Sequence, residues 1–274
     1  MAGYGNAPQI DTTRPHSARM YDYYLGGKTH YTADVQAAEA VVATVPFAGA
    51  MARANRDFMI RSTRWLAAER GVRQFLDIGS GIPTEPNLHQ IAQGVAPECR
   101  VVYTDNDPIV LQYAHALLHS TPEGRTAYLQ ADVTDPESIV DSDELYATVD
   151  LSRPVALSVN ALFHFVTDEQ RPYDILDGLV SQLAPGSFVC LTHAASEVGN
   201  PELEALGKQV EEIYARSGTP LRPRNNAEVA RFFQGLELIE PGITMAHHWR
   251  PDPTMPGELR EGEPSMLAGV ARKP

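Results

Sequence analysis

The sequence predicts an α/β fold in which a mostly parallel sheet lies between two layers of helices. After residue 71, short apolar runs alternate with segments that carry helix-start signals, a pattern typical of consecutive β-α units. Four of these runs end at Asp77, Asp105, Asp132 and Asn160, about 28 residues apart, which is the length of one strand, one helix and two loops. Because the carboxyl ends of parallel strands share one edge of a sheet, we expect these four side chains to line a ligand-binding edge.

Three helices are predicted before the first strand, and the last and longest of them covers residues 50 to 70. Asn55 falls in the middle of its apolar face, where a polar side chain needs a partner in the protein or in a ligand. None of the three helices is needed to complete the sheet. Residues 1–70 are therefore predicted to form a helical cap or lid, and residues 71–274 the core domain.

Seven strands are predicted after the cap. Five parallel strands come from the runs QFLDI, RVVYTD, TAYLQAD, PVALSVN and GSFVCLTH, and two more come from LELIEPGITMAHHW and MLAGVARKP. The link between the last two is rich in Pro, Gly and Glu and contains no helical segment, which predicts an antiparallel final strand rather than a crossover. If His247 and His248 lie on the sixth strand, alternation allows at most one of them to point inward.

Composition argues against several classes of function. The net charge of −13 disfavours sequence-independent binding to nucleic acid or to an anionic membrane, because both need clustered Lys and Arg. No apolar run approaches the length of a membrane-spanning helix, and the N-terminus lacks a secretory pattern. Cys99 and Cys190 lie in apolar segments at no metal-ligand spacing. We therefore expect a soluble, cytoplasmic protein without a metal site, of undetermined oligomeric state.

The strongest local motif is the loop after the first predicted strand. Gly79 and Gly81 follow a strand and precede a helix, so the chain can turn sharply and a ligand can approach the backbone. A dinucleotide would suit such a loop, but the third glycine of G-x-G-x-x-G is replaced by Thr84. The acids Asp77 and Glu85 flank the loop and would repel a pyrophosphate. A cationic ligand therefore fits this loop better than NAD.

The sequence resembles the class I S-adenosylmethionine-dependent methyltransferases. The shared pattern is Asp-x-Gly-x-Gly after the first strand, then an acid at the end of the second strand and another at the end of the third. The segments RPHSARMYDYYLGGKTHYTAD, ARANRDFM, DNDPIVL and GVARKP are similar to the S-adenosyl methyltransferase family, formerly a domain of unknown function. The resemblance covers nearly the whole chain. It implies a Rossmann-like sandwich, S-adenosylmethionine as cofactor and S-adenosylhomocysteine as product.

The acceptor is not implied by the resemblance. The charge balance disfavours DNA and RNA, and Asn160 is not followed by the Pro-Pro-aromatic sequence of an amino-group methylase, so we expect a small molecule. A non-catalytic S-adenosylmethionine-binding sensor or interaction protein remains an alternative at this stage, and an NAD-linked oxidoreductase fits less well.

The cofactor residues follow from the resemblance and from the position of the cap. We expect them to be Asp77, Gly79, Ser80, Gly81, Asp105, Asn106, Asp132, Val133, Asn160, Ala161, Tyr21 and Asn55. The glycine loop with Asp77 would hold the methionine end. Asp105 would accept both ribose hydroxyls, because a carboxylate has several lone pairs and no donors. Asp132 would bind the adenine amino group beside the backbone of Val133, unless it is only a turn carboxylate.

Asn160 and His164 are the candidates for catalysis. Asn160 holds the position where these enzymes place groups that face both the sulfonium and the acceptor. His164 is either a general base, since its unperturbed pKa is near neutrality, or a packed histidine bonded to the backbone. His193, at the end of the fifth strand, is expected to face the same edge. Tyr21 and Tyr24 share a helix face that contacts the ligand or packs in the core.

Overall fold

A computed structural model of the protein describes residues 11–117, 119–254 and 257–274. The first ten residues of the predicted cap thus lie outside the described residues. The helices are α1 Ser17–Tyr24, α2 Thr32–Thr44, α3 Ala48–Glu69, α4 Leu88–Val95, α5 Pro108–Leu117, α6 Pro136–Val140, α7 Asp143–Thr148, α8 Pro172–Ser181, α9 Pro201–Arg216 and α10 Asn226–Ala230. The strands are β1 Gln74–Ile78, β2 Arg100–Asp105, β3 Arg125–Gln130, β4 Ala156–Asn160, β5 Phe188–His193, β6 Glu237–Leu238, β7 Thr244–Met245 and β8 Leu267–Arg272.

The strands form one mixed sheet in the order β3-β2-β1-β4-β5-β8-β6, and β7 pairs with β8 beside this path. Strands β1 to β5 pair in parallel, while β8 is antiparallel to β5, β6 and β7. This arrangement confirms the predicted α/β sandwich with a mostly parallel sheet and an antiparallel final strand. It also brings the carboxyl ends of β1, β2, β3 and β4 to one edge, in neighbouring positions.

The sheet has eight strands among the described residues, whereas the sequence predicted seven. The predicted sixth strand is divided into β6 and β7 by a turn at Pro241-Gly242, where proline has no N–H for a strand ladder. Gly242 adopts a φ of 83° and donates its N–H to the carbonyl of Ile239 at 2.8 Å. His247 and His248 lie in a 3₁₀ turn after β7 rather than in a strand. The expected alternation of these two histidines is therefore wrong.

The core lies on both faces of the sheet because successive strand residues point to opposite sides. Leu76 and Leu157 belong to a buried cluster with side chains of α6, α7 and α8. Phe75 and Cys190 belong to a second cluster, on the other face, with α3 and α4. Trp65 of α3 packs edge-on against the ring of Phe188. The second half of α3 is thus part of the sandwich itself.

A smaller third cluster joins the first helices of the chain to α9. It contains Met20 of α1, Val41 of α2, Ala48 at the start of α3 and Tyr214 of α9, all buried. Helix α9 comes from the C-terminal half of the sequence, after β5. The helices above the sheet edge therefore include one that lies far from the predicted cap in sequence.

No single helix within the described ranges is both long enough and apolar enough to cross a membrane. The consecutive helices α2 and α3 reach that length and composition only together, and they are bent by 101° relative to each other.

Candidate active site

A cavity of about 340 Å³ lies at the sheet edge formed by the carboxyl ends of β1 to β4. Its walls also include α1, α2, the first half of α3 and α9. Every residue predicted for the cofactor or for catalysis lines this cavity, namely Tyr21, Asn55, Asp77, Gly79, Ser80, Gly81, Asp105, Asn106, Asp132, Val133, Asn160, Ala161 and His164. The structure brings these residues together, while their individual contacts with a cofactor remain predictions.

The glycine loop after β1 is shaped by two left-handed residues. Gly79 and Gly81 have φ values of 68° and 67°, a backbone region that favours glycine. A Cβ atom on Gly79 would lie 2.8 Å from Cδ1 of Leu162, so a side chain there would force the Leu162 side chain to shift. The N–H of Gly79 donates to the carbonyl of Thr104 at 2.9 Å. The loop is therefore held against the end of β2 with its backbone open to the cavity.

Asp105 organises the same loop through both of its carboxylate oxygens. Oδ2 accepts the N–H of Gly81 at 2.8 Å, and Oδ1 accepts the N–H of Asp107 at 3.0 Å. Burial raises the pKa of Asp105, although these two N–H groups act in the opposite direction. Since a carboxylate offers about four acceptor sites, Asp105 retains lone pairs for a ligand in the cavity.

Asp77 is close to the point of ionisation at neutral pH. Burial raises the pKa of Asp77 to about 7, while the hydroxyl of Ser158 and the nearby positive charge of Arg56 act to lower it. Asp105 adds a repulsive negative charge. A cationic group bound beside Asp77 would favour its ionised form and gain a charged partner in return.

Asp132 forms a turn and also faces the cavity. Its Oδ1 accepts the N–H and the hydroxyl of Thr134 at 2.9 and 2.7 Å, and its Oδ2 accepts a hydrogen bond from Asn106 at 3.1 Å. Burial raises the pKa of Asp132, but these hydrogen bonds outweigh burial and leave the pKa lowered. The carboxylate is therefore ionised at neutral pH. The turn role is observed, and the remaining lone pairs are compatible with an additional ligand.

Asn160 presents an unpartnered oxygen at the cavity. Its Nδ2 donates to the hydroxyl of Ser158 at 2.7 Å, whereas its Oδ1 is buried without a hydrogen-bond partner. The hydroxyl oxygens of Ser80 and Thr104, two other residues of the cavity wall, are buried and unpartnered as well. Such atoms cost free energy unless a ligand or water satisfies them. These three oxygens are available to a ligand at the sheet edge.

A chain of hydrogen bonds connects the N-terminal helices to the ends of β4 and β5. The N–H of Ala161, a residue in the left-handed region with a φ of 54°, donates to Oγ1 of Thr192 at 2.8 Å. Thr192 donates to Oδ1 of Asn55 at 2.6 Å, and Nδ2 of Asn55 donates to the hydroxyl of Tyr21 at 2.8 Å. Tyr21 in turn donates to the carbonyl of Ala52 at 2.9 Å. The side chain of Asn55, which the sequence placed on the apolar face of α3, is therefore hydrogen-bonded at both its oxygen and its nitrogen within the protein.

His164 lines the cavity but is bonded to the backbone. Its Nδ1 accepts the N–H of Ala194 at 3.2 Å, so the neutral ring carries its proton on Nε2. Burial, with additional repulsion from His193 and Arg224, holds the pKa of His164 well below its usual value. A neutral ring with Nδ1 occupied is a donor through Nε2 and is poorly suited to be a general base. These contacts favour the packed-histidine interpretation.

His193 does not line the cavity, so the expectation that it faces this edge is wrong. Its side chain is fully buried, with Nδ1 donating to the carbonyl of Ala194 at 2.9 Å and Nε2 accepting from Arg224 at 3.0 Å. Burial lowers the pKa of His193 to about 4. Arg224 is fully buried too and donates to the carbonyl of Phe163 and to Asp168 at 2.9 and 2.7 Å. This network holds the loop after β4 through residues that do not themselves line the cavity.

The sequence predicted helix α9 but did not place it at the site. Its residues Leu203, Gly207, Val210, Glu211 and Tyr214 line the cavity, at spacings of three and four that define one face of a helix. The available signal was an amphipathic helix that follows the last parallel strand. That signal identifies an apolar face without indicating what the face covers.

Comparison with known proteins agrees with this geometry. The model of the S-adenosyl methyltransferase family matches residues 4–274. The crystal structure of a DUF574 family protein from Streptomyces avermitilis MA-4680 is 50% identical, covers 97% of this chain and 100% of that chain, and has a TM-score of 0.92. A putative methyltransferase from Thermobifida fusca YX is 36% identical, with 99% of each chain covered and a TM-score of 0.88.

A more distant structure shares the fold alone. It is the plantazolicin methyltransferase BamL, solved with a triazolic desmethylPZN analog and S-adenosylhomocysteine. It is 12% identical, with 93% of this chain and 95% of that chain covered and a TM-score of 0.52. No curated protein sequence matches the chain. The family match over nearly all residues, together with the two similar crystal structures, shows that this chain belongs to the S-adenosyl methyltransferase family and is an S-adenosylmethionine-dependent methyltransferase.

Proposed function

We propose that the chain transfers the methyl group of S-adenosylmethionine to a small organic molecule inside the cavity, with Asn160 at the reacting end. The observation that carries this proposal is the composition of a single cavity. Asp77, Asp105 and Asp132 line one end of it, at the sheet edge, and apolar side chains of α2 and α9 line the other end. Strand β4, which ends at Asn160, is the neighbour of β1 in the sheet, and Phe165 in the loop after β4 packs against Tyr214 of α9, so Asn160 adjoins both ends.

The residues at the sheet edge fit the implied cofactor. Neighbouring strands lie about 4.8 Å apart, so acids at the ends of β1, β2 and β3 form a row that suits an extended ligand. Asp77 would bind the ammonium beside the open backbone of the glycine loop, Asp105 the ribose hydroxyls and Asp132 the adenine amino group. The unpartnered Oδ1 of Asn160 can accept a hydrogen bond from such a ligand, and the hydroxyl of Ser80 can accept or donate one. When bound, S-adenosylmethionine supplies an electrophilic methyl group.

The protein would contribute mainly by positioning the acceptor. In-line displacement needs the acceptor atom close to the methyl group and aligned with it, and this placement supplies much of the acceleration. Oδ1 of Asn160 would accept a hydrogen bond at that point, and Nε2 of His164 would donate one. Neither His164 nor Tyr21 is free to take a proton, because Nδ1 of the former and the hydroxyl of the latter are engaged in the protein. We therefore propose an acceptor that is nucleophilic without the help of these residues.

We further propose that the N-terminal helices act as a lid over the cofactor. Arg19 of α1 is buried and forms an ion pair with Asp34 of α2 at 3.3 Å, and His16 lies 3.3 Å from Asp107, the residue before α5. These contacts close the helices over the sheet edge. Because the second half of α3 packs in the sandwich, the moving part would consist of α1 and α2. Limited proteolysis should cleave these helices more slowly when S-adenosylhomocysteine is present, and equal rates would contradict the proposal.

A cytoplasmic location is also proposed. Cys99 and Cys190 are buried and unbridged, and burial raises the pKa of their thiols to about 11 and 12, so both are protonated at neutral pH. Unbridged thiols suit a reducing compartment. Cell fractionation should recover the protein with cytoplasmic markers.

Calorimetric titration tests the cofactor assignments. S-adenosylhomocysteine should bind, and NADH should not. Asp132→Ala should weaken the binding of S-adenosylhomocysteine, whereas Asp252→Ala should not. Asp252 is the matched control because its Oδ1 accepts from Thr254 at 2.9 and 2.7 Å, the same turn as Asp132 forms with Thr134, but it lies outside the cavity. A preference for NADH, or equal losses from both variants, would overturn the assignment.

Radiolabel transfer tests the acceptor class. The protein is incubated with methyl-labelled S-adenosylmethionine and either a small-molecule extract or a mixture of DNA and RNA. Label should appear in organic products of low mass and not in the nucleic acid. Label in the nucleic acid fraction alone would contradict a small-molecule acceptor.

A further inference from the structure

Helix α9 has a gap in the face that it turns to the cavity. Gly207 lies at the centre of that face, between Leu203 and Val210. A Cβ atom built on Gly207 would have no heavy atom within 4 Å, although the residue belongs to the cavity wall. Glycine destabilises a helix interior relative to alanine, because it has more backbone freedom to lose. Glycine at this point of the helix therefore leaves open space in the cavity at a cost in helix stability.

The surfaces around this gap are apolar and rich in aromatic rings. Val41 of α2, Phe47 before α3 and Phe165 after β4 line the same part of the cavity and pack in the third cluster with Tyr214. The hydroxyls of Tyr24 and Tyr214 lie 3.3 Å apart and bond to each other. This bond uses the O–H of one phenol and an acceptor lone pair of the other, and the two rings contribute apolar surface beside it.

Charged groups in this part of the cavity lie on α9 beside the gap. Lys208 is exposed, and Glu204 and Glu211 are half-buried. Oε1 of Glu204 accepts the N–H groups of Val198 and Gly199 at 3.0 and 3.2 Å. Burial raises the pKa of Glu211, while Arg222 and Lys208 act to lower it. The charged groups therefore lie on α9 itself, whereas the walls contributed by Val41, Phe47 and Phe165 offer apolar contact. A strongly polar molecule would lose hydration there without replacing it.

We propose that the open space at Gly207 receives the ring system of a small aromatic acceptor, and that Gly207 is a specificity-determining residue for the size of that ring system. The inference rests on the proposed function, because the ring would lie on the far side of Asn160 from the cofactor. Aromatic rings pack well against other rings in offset or edge-on contact, and Phe47, Phe165 and Tyr214 provide such partners. A sugar would place its hydroxyl groups against these rings without hydrogen-bond partners.

The test uses 1-naphthol as a probe and Gly207→Leu as the variant. The introduced leucine side chain would extend into the gap and leave the sheet edge unchanged. Gly178→Leu is the matched control, because Gly178 also lies inside a helix with no atom within 4 Å of a built Cβ, but it is exposed on α8 and outside the cavity. Both variants replace a helical glycine with the same helix-forming residue, so both should fold.

Two calorimetric titrations are made on the wild type and on both variants. S-adenosylhomocysteine should bind all three proteins with equal affinity. 1-Naphthol should bind the wild type and Gly178→Leu with equal affinity, in the presence or absence of S-adenosylhomocysteine, and should bind Gly207→Leu at least tenfold more weakly. Glucose, a polar probe of similar size, should bind none of them.

The two proposals fail in different ways. If 1-naphthol does not bind the wild type, or binds Gly207→Leu as well as it binds the wild type, the inference about the acceptor is overturned while the cofactor site stands. If Gly207→Leu loses affinity for S-adenosylhomocysteine, Gly207 belongs to the cofactor half and the inference is overturned as well. If S-adenosylhomocysteine fails to bind the wild type, the proposed function is overturned.

Discussion

The two ends of the cavity are constructed in different ways. At the sheet edge, Asp77, Asp105 and Asp132 come from loops that directly follow β1, β2 and β3 or from the last residues of those strands, and backbone hydrogen bonds hold the loops in place. At the other end, the walls are side chains of α2 and α9, two helices separated by more than half of the chain. The first end depends on strand register and the second on helix packing. Changes at the first end should therefore alter cofactor binding, and changes at the second should alter stability and acceptor binding.

The largest expected effect is at the sheet edge, where Asp105→Ala should weaken the binding of S-adenosylhomocysteine by about 10- to 100-fold. The variant loses the proposed ribose acceptor and releases the N–H groups of Gly81 and Asp107. Asp150→Ala is a matched control, because Asp150 accepts the N–H of Ser152 at 3.0 Å in the same kind of turn but lies outside the cavity. Calorimetry measures both affinities. An unchanged affinity in Asp105→Ala would remove this residue from the cofactor site.

At the boundary between the two ends, Asn55→Leu should lower the free energy of unfolding by about 1–3 kcal/mol. The substitution leaves the hydroxyl of Thr192 without its acceptor and removes the donor to Tyr21. Urea denaturation of Asn55→Leu, Thr192→Val and the double variant measures the coupling between the two positions. The loss of unfolding free energy in the double variant should be smaller than the sum of the losses in the two single variants, because both substitutions break the same hydrogen bond. Strictly additive losses would show that the bond does not contribute.

The ionisation of Asp77 gives the cofactor end a pH dependence near neutrality. Burial raises its pKa to about 7 in the folded protein, above the unfolded value of about 3.9. The protonated form is thus favoured on folding, and the stability that it contributes is lost as the pH rises from about 4 to 7. Asp77→Asn should therefore raise the free energy of unfolding at pH 8 and change that free energy less at pH 4, as measured by urea denaturation.

The same ionisation should affect ligand binding in the opposite direction. Since the charged carboxylate attracts the ammonium of the ligand, the affinity for S-adenosylhomocysteine should rise between pH 6 and pH 8, by at most about tenfold per unit below the pKa. In Asp77→Asn this rise should disappear. A wild-type affinity that is independent of pH in this range would argue against contact between Asp77 and the ammonium.

The smallest expected effect is at the apolar end, where Gly207→Ala should raise the free energy of unfolding by about 0.5–1 kcal/mol. The methyl group meets open space, and alanine loses less backbone entropy in a helix. Gly178→Ala should give a similar gain on α8, also measured by urea denaturation. A loss of stability in Gly207→Ala alone would mean that the gap is filled in solution.

Local sequence patterns were sufficient to predict most of the residues at the sheet edge. Strand period, turn residues and the spacing of β-α units located Asp77, Asp105, Asp132 and Asn160, and all four line the cavity. The same kind of reasoning failed for the sixth strand. There, apolar residues on both sides of Pro241-Gly242 suggested one strand, whereas the turn divides it into β6 and β7.

The sequence by itself determined the order of β-α units and the polar residues at their ends, because these depend on hydrogen bonds and side-chain periods within a few residues. Only the tertiary structure decided the partners of Asn55, which are Tyr21 and Thr192, the latter 137 residues further along the chain. It also decided that Arg224 is buried against His193, and that α9 closes the cavity with a gap at Gly207. These features depend on packing between distant segments, and an amphipathic pattern specifies that a face is covered without specifying what covers it.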